Sequence, residues 1–131
     1  MIQVSAGIVH SAGKVLAMKK GQSKYDYLSF KYEFPGGKIE AGESPLDALV
    51  REFSEELKAD IRNLIIEHVC DTAYRYPDFS VTLHSFMITA DEFPFTLTEH
   101  AGYRWVEPSE LSGLDWADAE KDIVRELVKR L

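Results

Sequence analysis

At 131 residues and 45% hydrophobic content, the chain can bury roughly two-thirds of its unfolded surface as one domain, without covalent staples. Its single cysteine, Cys70, excludes an intrachain disulfide and fits a reducing compartment. The formal net charge of −7 argues against a protein that wraps duplex nucleic acid, whose footprint is a basic patch. It leaves room for a small phosphorylated ligand, because metal ions bridge acidic side chains and phosphate.

The start, MIQVSAGIVH, has no basic leader and no long apolar block. Neither a signal peptide nor a membrane span is expected, and the cytoplasm is the expected location. Residues 2–9 are rich in β-branched and small residues and read as a strand. Residues 14–18 read as its partner, with Ser11-Ala12-Gly13 as the hairpin turn. Lys19-Lys20 lead into a polar and aromatic loop, GQSKYDYLSFK, which runs to the turn signal Pro35-Gly36-Gly37. Ser44 suits an N-cap, Pro45 the first helical position, and Asp47 supplies a first-turn acid. The spacing predicts a helix to about Lys58, with Leu46, Leu49, Val50, Phe53 and Leu57 on one face. Residues 61–70 form an apolar run leading into DTAYRYPDF, and Cys70 within it reads as a small core residue. Residues 81–89 alternate as a strand. The loop ADEFPFTLTEHAG precedes a short strand, YRWVE, and Pro108 to Leu111 read as a turn or helix start. Residues 114–131 read as a closing amphipathic helix with Ile123, Val124, Leu127 and Leu131 as its core face. No repeat, linker or low-complexity segment interrupts residues 1–131, so a single domain is expected. Strands on both sides of a helix, closed by a second helix, predict an α/β sandwich with a mixed sheet.

The stretch Gly36 to Leu57 carries the chemistry. Glu52, Glu55 and Glu56 are three and four apart on the predicted helix and share one face. Glu52 and Glu56, of like sign at i and i+4, repel by roughly 0.2–0.5 kcal/mol unless something neutralises them. A divalent cation does so, and hard cations want oxygen ligands. Taken alone, three acids on a helix more often describe a solvated face laced with pairs such as Arg51 with Glu55.

The spacing points the other way. Gly37, five residues, Glu43, seven residues, then Arg51-Glu52-Phe53-Ser54-Glu55-Glu56 resembles the Nudix box of the Nudix hydrolase superfamily. The resemblance implies an α/β fold, a Nudix-type α/β/α sandwich with a mixed β-sheet between helices. It implies hydrolysis of a diphosphate linkage with Mg²⁺ or Mn²⁺ as cofactor. Glu52, Glu55, Glu56 and the Gly37 carbonyl are the implied metal ligands, and Glu43 pairs with Arg51 to brace them. One departure stands at the end of the box, where the family places Gly and then an aliphatic residue. Here Lys58 and Ala59 occupy those positions. A lysine in a left-handed cap costs about 1 kcal/mol; otherwise the helix runs on for part of a turn.

YEFPGGKIEAGES with TEHAGYRWVEPSEL looks like the MutT-like branch, which hydrolyses nucleoside triphosphates to the monophosphate and pyrophosphate. That resemblance implies further roles. Glu99 falls where the branch carries an extra acid, a metal ligand or general base, and Glu52 competes with it for the base role. Phe34 and Tyr76 match positions lining the nucleotide pocket, and Lys20 a basic position facing the substrate. Asp118 and Glu120 are the candidates for the residue that reads the base edge, with Glu120 the better match. An ionised acid there only accepts hydrogen bonds and favours a base with an exocyclic amine, such as cytosine. A protonated one also reads other bases, including an oxidised guanine. The implied partner is a small nucleotide, with neither duplex nucleic acid nor membrane. The competing readings are another diphosphate substrate, such as a nucleotide sugar or dinucleoside polyphosphate, and a domain that senses a nucleotide without cleaving it. Monomer and homodimer stay open, because Tyr25, Tyr27 and Phe30 suit either a subunit contact or a cover over substrate.

Overall fold

Strand β1 (Ile2–Ser11) is the axis of the protein, seen in a computed structural model that describes residues 1–131. One edge of β1 pairs along its whole length with β6 (Ser80–Ala90), in parallel. Its other edge is divided. The end of β1 pairs with β2 (Lys14–Lys19), and Val4 to Ala6 pair with β4 (Gly36–Lys38), both antiparallel. Strand β2 also takes β3 (Tyr32–Glu33) and β7 (Gly102–Val106) as antiparallel partners. The outer strand β5 (Ile65–Arg75) pairs antiparallel with β6. The seven strands form one mixed sheet, as expected.

Side chains alternate across a strand, and both faces of this sheet are covered. Val9, Leu16, Met18 and Ile88 pack against Leu49, Phe53 and Leu57 of helix α1 (Pro45–Leu57). Ile8, Val15, Ala17 and Leu83 pack on the opposite face with Ile123 and Leu127 of helix α2 (Lys121–Arg130). The result is the helix–sheet–helix sandwich.

Three details refine the expected elements. Strand β1 runs through Ser11, so its hairpin turn is the pair Ala12-Gly13, both at positive φ, the backbone that matches strand twist. The apolar run after α1 continues into β5, whose alternation breaks at a register shift between His68 and Cys70. Residues 114–117 are not helical. Tyr32 N–H donates to the Asp115 carbonyl at 2.8 Å and Ala117 N–H to the Tyr32 carbonyl at 2.9 Å. Pairing to the sheet edge therefore overrides the local helical pattern, and α2 begins only at Lys121. Leu131 lies past its end and is exposed, as is Leu46 in the first turn of α1.

Helix α1 starts and stops as its residues dictate. The Ser44 side chain accepts from Asp47 N–H at 3.1 Å, and Asp47 Oδ2 accepts from Ser44 N–H at 3.3 Å, a reciprocal cap. At the other end Lys58 adopts the left-handed conformation (φ 53°, ψ 35°), and Ala59 N–H closes back on the Phe53 carbonyl at 3.2 Å. The lysine thus takes the cap conformation that glycine usually supplies. No helix is long and apolar enough to cross a membrane.

Candidate active site

The glycine turn brings backbone and carboxylate into contact. Gly36 has φ +151°, and a side chain there would run into the Ser5 carbonyl of β1. A Cβ at Gly37 would stand 2.5 and 2.7 Å from the two carboxyl oxygens of Glu52. The missing side chain is what lets Glu52 descend from α1 onto the β4 backbone.

Arg51 organises the acids around that contact. Its Nε and Nη2 donate to the two oxygens of Glu43 at 2.8 and 3.0 Å. Nη1 donates to Glu52 Oε1 at 2.8 Å and Glu55 Oε2 at 3.3 Å, and Nη2 also reaches the Lys38 carbonyl at 2.9 Å. The hydrogen bonds from Arg51 hold the Glu43 carboxyl below its usual range. Glu43 and Arg51 therefore clamp loop to helix and orient Glu52. Glu55 is turned to the Arg51 side and its side chain is 62% exposed.

Glu56 faces the other way, into a cavity of about 740 Å³. Gly37 and Glu99 line the cavity with it. The loop between β6 and β7 is pinned to the end of α1: Thr96 N–H donates to the Leu57 carbonyl at 2.9 Å, and Thr98 Oγ1 to the Glu56 carbonyl at 2.5 Å. That places Glu99 beside Glu56. Burial, and then the charges of Glu52, Glu99 and Glu33, push the Glu56 carboxyl up to about 8. Excess negative charge around a half-buried acid is what an oxygen-seeking cation relieves. No three acidic, histidine or cysteine side chains form a ready-made cage. That suits a metal taking one or two carboxylates, with water and substrate phosphate completing its shell.

Another part of the cavity lining is aromatic and contains a buried acid. Phe34 stacks on Trp116 with centroids 4.5 Å apart. Tyr76 OH accepts from Ala119 N–H at 2.9 Å, and burial raises this phenol to about 12. Glu120 is 6% exposed and its Oε1 accepts from Phe34 N–H at 2.9 Å. Burial, then the charge of Glu33, pushes it up to about 8. Asp118 points elsewhere: it pairs with Lys121 at 2.7 Å and accepts from Tyr74 OH at 3.3 Å, outside the cavity lining. Lys20 lines the cavity, 3.7 Å from Glu33. The aromatic loop folds back on its own chain. Tyr27 stacks on Tyr76 and on Tyr25, and its OH donates to Asp78 at 2.7 Å. Tyr25 thereby becomes part of the cavity wall, while Phe30 stays exposed.

The structure thus brings Gly37, Glu56, Glu99, Lys20, Phe34, Tyr76 and Glu120 around one cavity, with Glu52 at its Gly37 wall. It leaves Glu55 and Asp118 outside. Among the lining residues that escaped the sequence reading are Glu33 and His100, joined through Glu33 Oε2 and His100 Nε2 at 2.8 Å. They lie 67 positions apart, so no local pattern ties them together.

Known proteins share this architecture. The chain is 28% identical over 130 residues to the 8-oxo-dGTP diphosphatase of Escherichia coli K12, covering 99% of this chain and 98% of that one. It is 34% identical over 113 residues to the CTP pyrophosphohydrolase of the same organism, covering 84% and 78%. The solution structure of the E. coli ORF135 protein superposes with a TM-score of 0.81 at 29% identity, covering 98% of this chain and 89% of that one. The family profile described as NUDIX domain matches residues 1–128, and the chain belongs to that family, whose hydrolases generally need a divalent metal.

Proposed function

We propose that the chain hydrolyses a nucleoside triphosphate to the monophosphate and pyrophosphate, as a nucleotide-pool sanitising enzyme acting on oxidised-guanine or cytosine nucleotides. The observation that carries this reading is a single cavity lined by two unlike groups of residues: Glu56, Glu99 and the Gly37 backbone, and the aromatic Phe34 and Tyr76 with the buried acid Glu120. Such a cavity fits a molecule with a charged phosphate tail and a flat polar base. The names of the two E. coli relatives, an 8-oxo-dGTP diphosphatase and a CTP pyrophosphohydrolase, support the same class of substrate.

We assign the metal ligands as Glu52, Glu56 and the Gly37 carbonyl, with Mg²⁺ or Mn²⁺ as the ion, and leave Glu55, turned to Arg51, out of the set. The cation, when bound, neutralises phosphate charge and lowers the pKa of a water. Glu43 and Arg51 keep Glu52 on the Gly37 backbone. Glu52 is engaged by Arg51 at 2.8 Å, so Glu99, free of that clamp, is assigned to take the water's proton. Lys20 faces the substrate from the same cavity wall as Glu33. Glu120, Phe34 and Tyr76 receive the base.

A panel of triphosphates, nucleotide sugars and dinucleoside polyphosphates with Mg²⁺ or Mn²⁺, products resolved by chromatography, tests the reading. Monophosphate plus pyrophosphate is the expected outcome, and cleavage of sugar nucleotides alone overturns it. Glu52→Gln is expected to cut turnover by orders of magnitude with an unchanged far-ultraviolet spectrum. Near-normal turnover in that variant overturns the ligand assignment.

A further inference from the structure

His100 occupies a place where an apolar side chain would serve if packing were its purpose. Its side chain is 8% exposed. Its Nδ1 is fully buried with no hydrogen-bond partner, which costs stability. What the histidine contributes in return is at its other nitrogen. Nε2 lies 2.8 Å from Glu33 Oε2, and since a carboxylate only accepts, the proton is on Nε2. Lys20 Nζ stands 3.7 Å from the other oxygen, Glu33 Oε1. His100 thus holds Glu33 as an acceptor by a hydrogen bond, Lys20 adds an ion pair at longer range, and all three residues line the cavity.

Glu33 lines the same cavity as Glu56 and Glu120, and its charge helps to raise both of their carboxyls. Its backbone is fixed by pairing with Met18. His100 is fixed by the neighbouring Ala101 N–H, which donates to the Lys19 carbonyl at 2.9 Å. Glu120 is the complement. It lines the same cavity, and burial favours its protonated form, so it offers a donor where Glu33 offers an acceptor.

We propose that His100 is a positioning residue for base selection: it holds Glu33 as an acceptor in the cavity that Glu120 also lines, and the pair selects a base with an exocyclic amine next to a ring-nitrogen acceptor, as in cytosine. Uracil presents the reverse pattern. The proposal deepens the triphosphate reading above and rests on it.

The test measures kcat and KM of the full chain with Mg²⁺ on CTP and UTP, for wild type, His100→Phe and His100→Gln. Thermal melts by circular dichroism confirm folding. His100→Phe is expected to raise the KM for CTP about tenfold or more, the scale of a lost charge-assisted hydrogen bond, with kcat within about twofold. The CTP-over-UTP preference then collapses. His100→Gln, whose amide N–H reaches the same carboxylate, is expected to restore most of it. An unchanged preference in His100→Phe, or a kcat loss shared by both substrates, overturns the proposal. So does a wild type that cleaves an oxidised-guanine triphosphate but does not prefer CTP to UTP. A wild type that cleaves no triphosphate overturns the function proposed above. His100 is then judged by calorimetric affinity for α,β-methylene CTP and UTP, and equal affinities in wild type and His100→Phe overturn its role.

Discussion

At the scale of single residues, Arg51 links more of the site than any other side chain. It donates to Glu43, Glu52, Glu55 and the Lys38 carbonyl together, which a planar fork can do and an ammonium cannot. With Glu52 as the metal ligand proposed above, Arg51→Lys is therefore expected to lower kcat/KM about 10–100-fold, the usual effect of losing an outer partner of such a ligand. A metal titration of activity checks this, because a higher Mg²⁺ requirement is expected alongside the loss. Glu120 gives a different signal. Its folded value of about 8 lies above the ordinary 4.5, so the folded chain keeps a proton that the unfolded chain releases. The stability this contributes is full below the unfolded value and is lost as pH rises through about 8. Denaturant unfolding should show wild type losing stability relative to Glu120→Gln between about pH 5 and 8.5, by up to about 1.4 kcal/mol per pH unit. Parallel profiles would mean that Glu120 is ionised in the fold. The box residues were legible because their geometry is local: Glu43, Arg51, Glu52 and Glu56 are set by helical spacing and one turn. Glu33 and His100 meet only when β3 and the β6–β7 loop come together, and nothing within either stretch announces it.

At the scale of elements, the end of α1 departs from the family pattern without breaking it. Lys58 holds φ 53°, a conformation glycine adopts freely and a lysine only at a cost. Lys58→Gly removes that strain but gives the unfolded chain more freedom. The net expectation is a gain of about 0.5–1 kcal/mol, read as a rise of a few degrees in melting temperature. A lower melting temperature would show that the lysine side chain contributes more than its backbone costs. The start of α1 was legible in Ser44, Pro45 and Asp47, because a cap is written in adjacent residues. Strand β5 was less so. Its register shift between His68 and Cys70 breaks the alternation that marks a strand. Residues 114–117 misled for the opposite reason. Trp116 stands at helical spacing from Ile123 and Leu127, yet it is fixed by Phe34 stacking and by its indole N–H donating to the Leu111 carbonyl at 2.7 Å.

At the scale of the molecule, the two cores have no independent support. One packs α1 and the other α2, and β1, β2 and β6 contribute alternate residues to both. Val9 cannot leave its face while Ile8 stays on the other, because they are neighbours on one strand. The chain should therefore unfold as a single cooperative unit. The two tryptophans make this measurable, since Trp116 is in the α2-side core and Trp105 packs against the α1-side core. Trp105→Phe leaves a reporter of one face, and Trp116→Phe a reporter of the other. Within each variant, the fluorescence transition and the far-ultraviolet dichroism transition are expected to coincide in midpoint and slope. Adding Mg²⁺ with nucleotide should move both transitions upward together, because a ligand that binds only the folded state stabilises the whole cooperative unit. The site draws its residues from both sides of this sandwich: Glu56 from the helix on one face, and Glu120 from the turn that opens the helix on the other. If the two reporters separated on heating, or if ligand moved only one, the cavity would be joining two independently folding halves. Its geometry could then not be set by β1 alone.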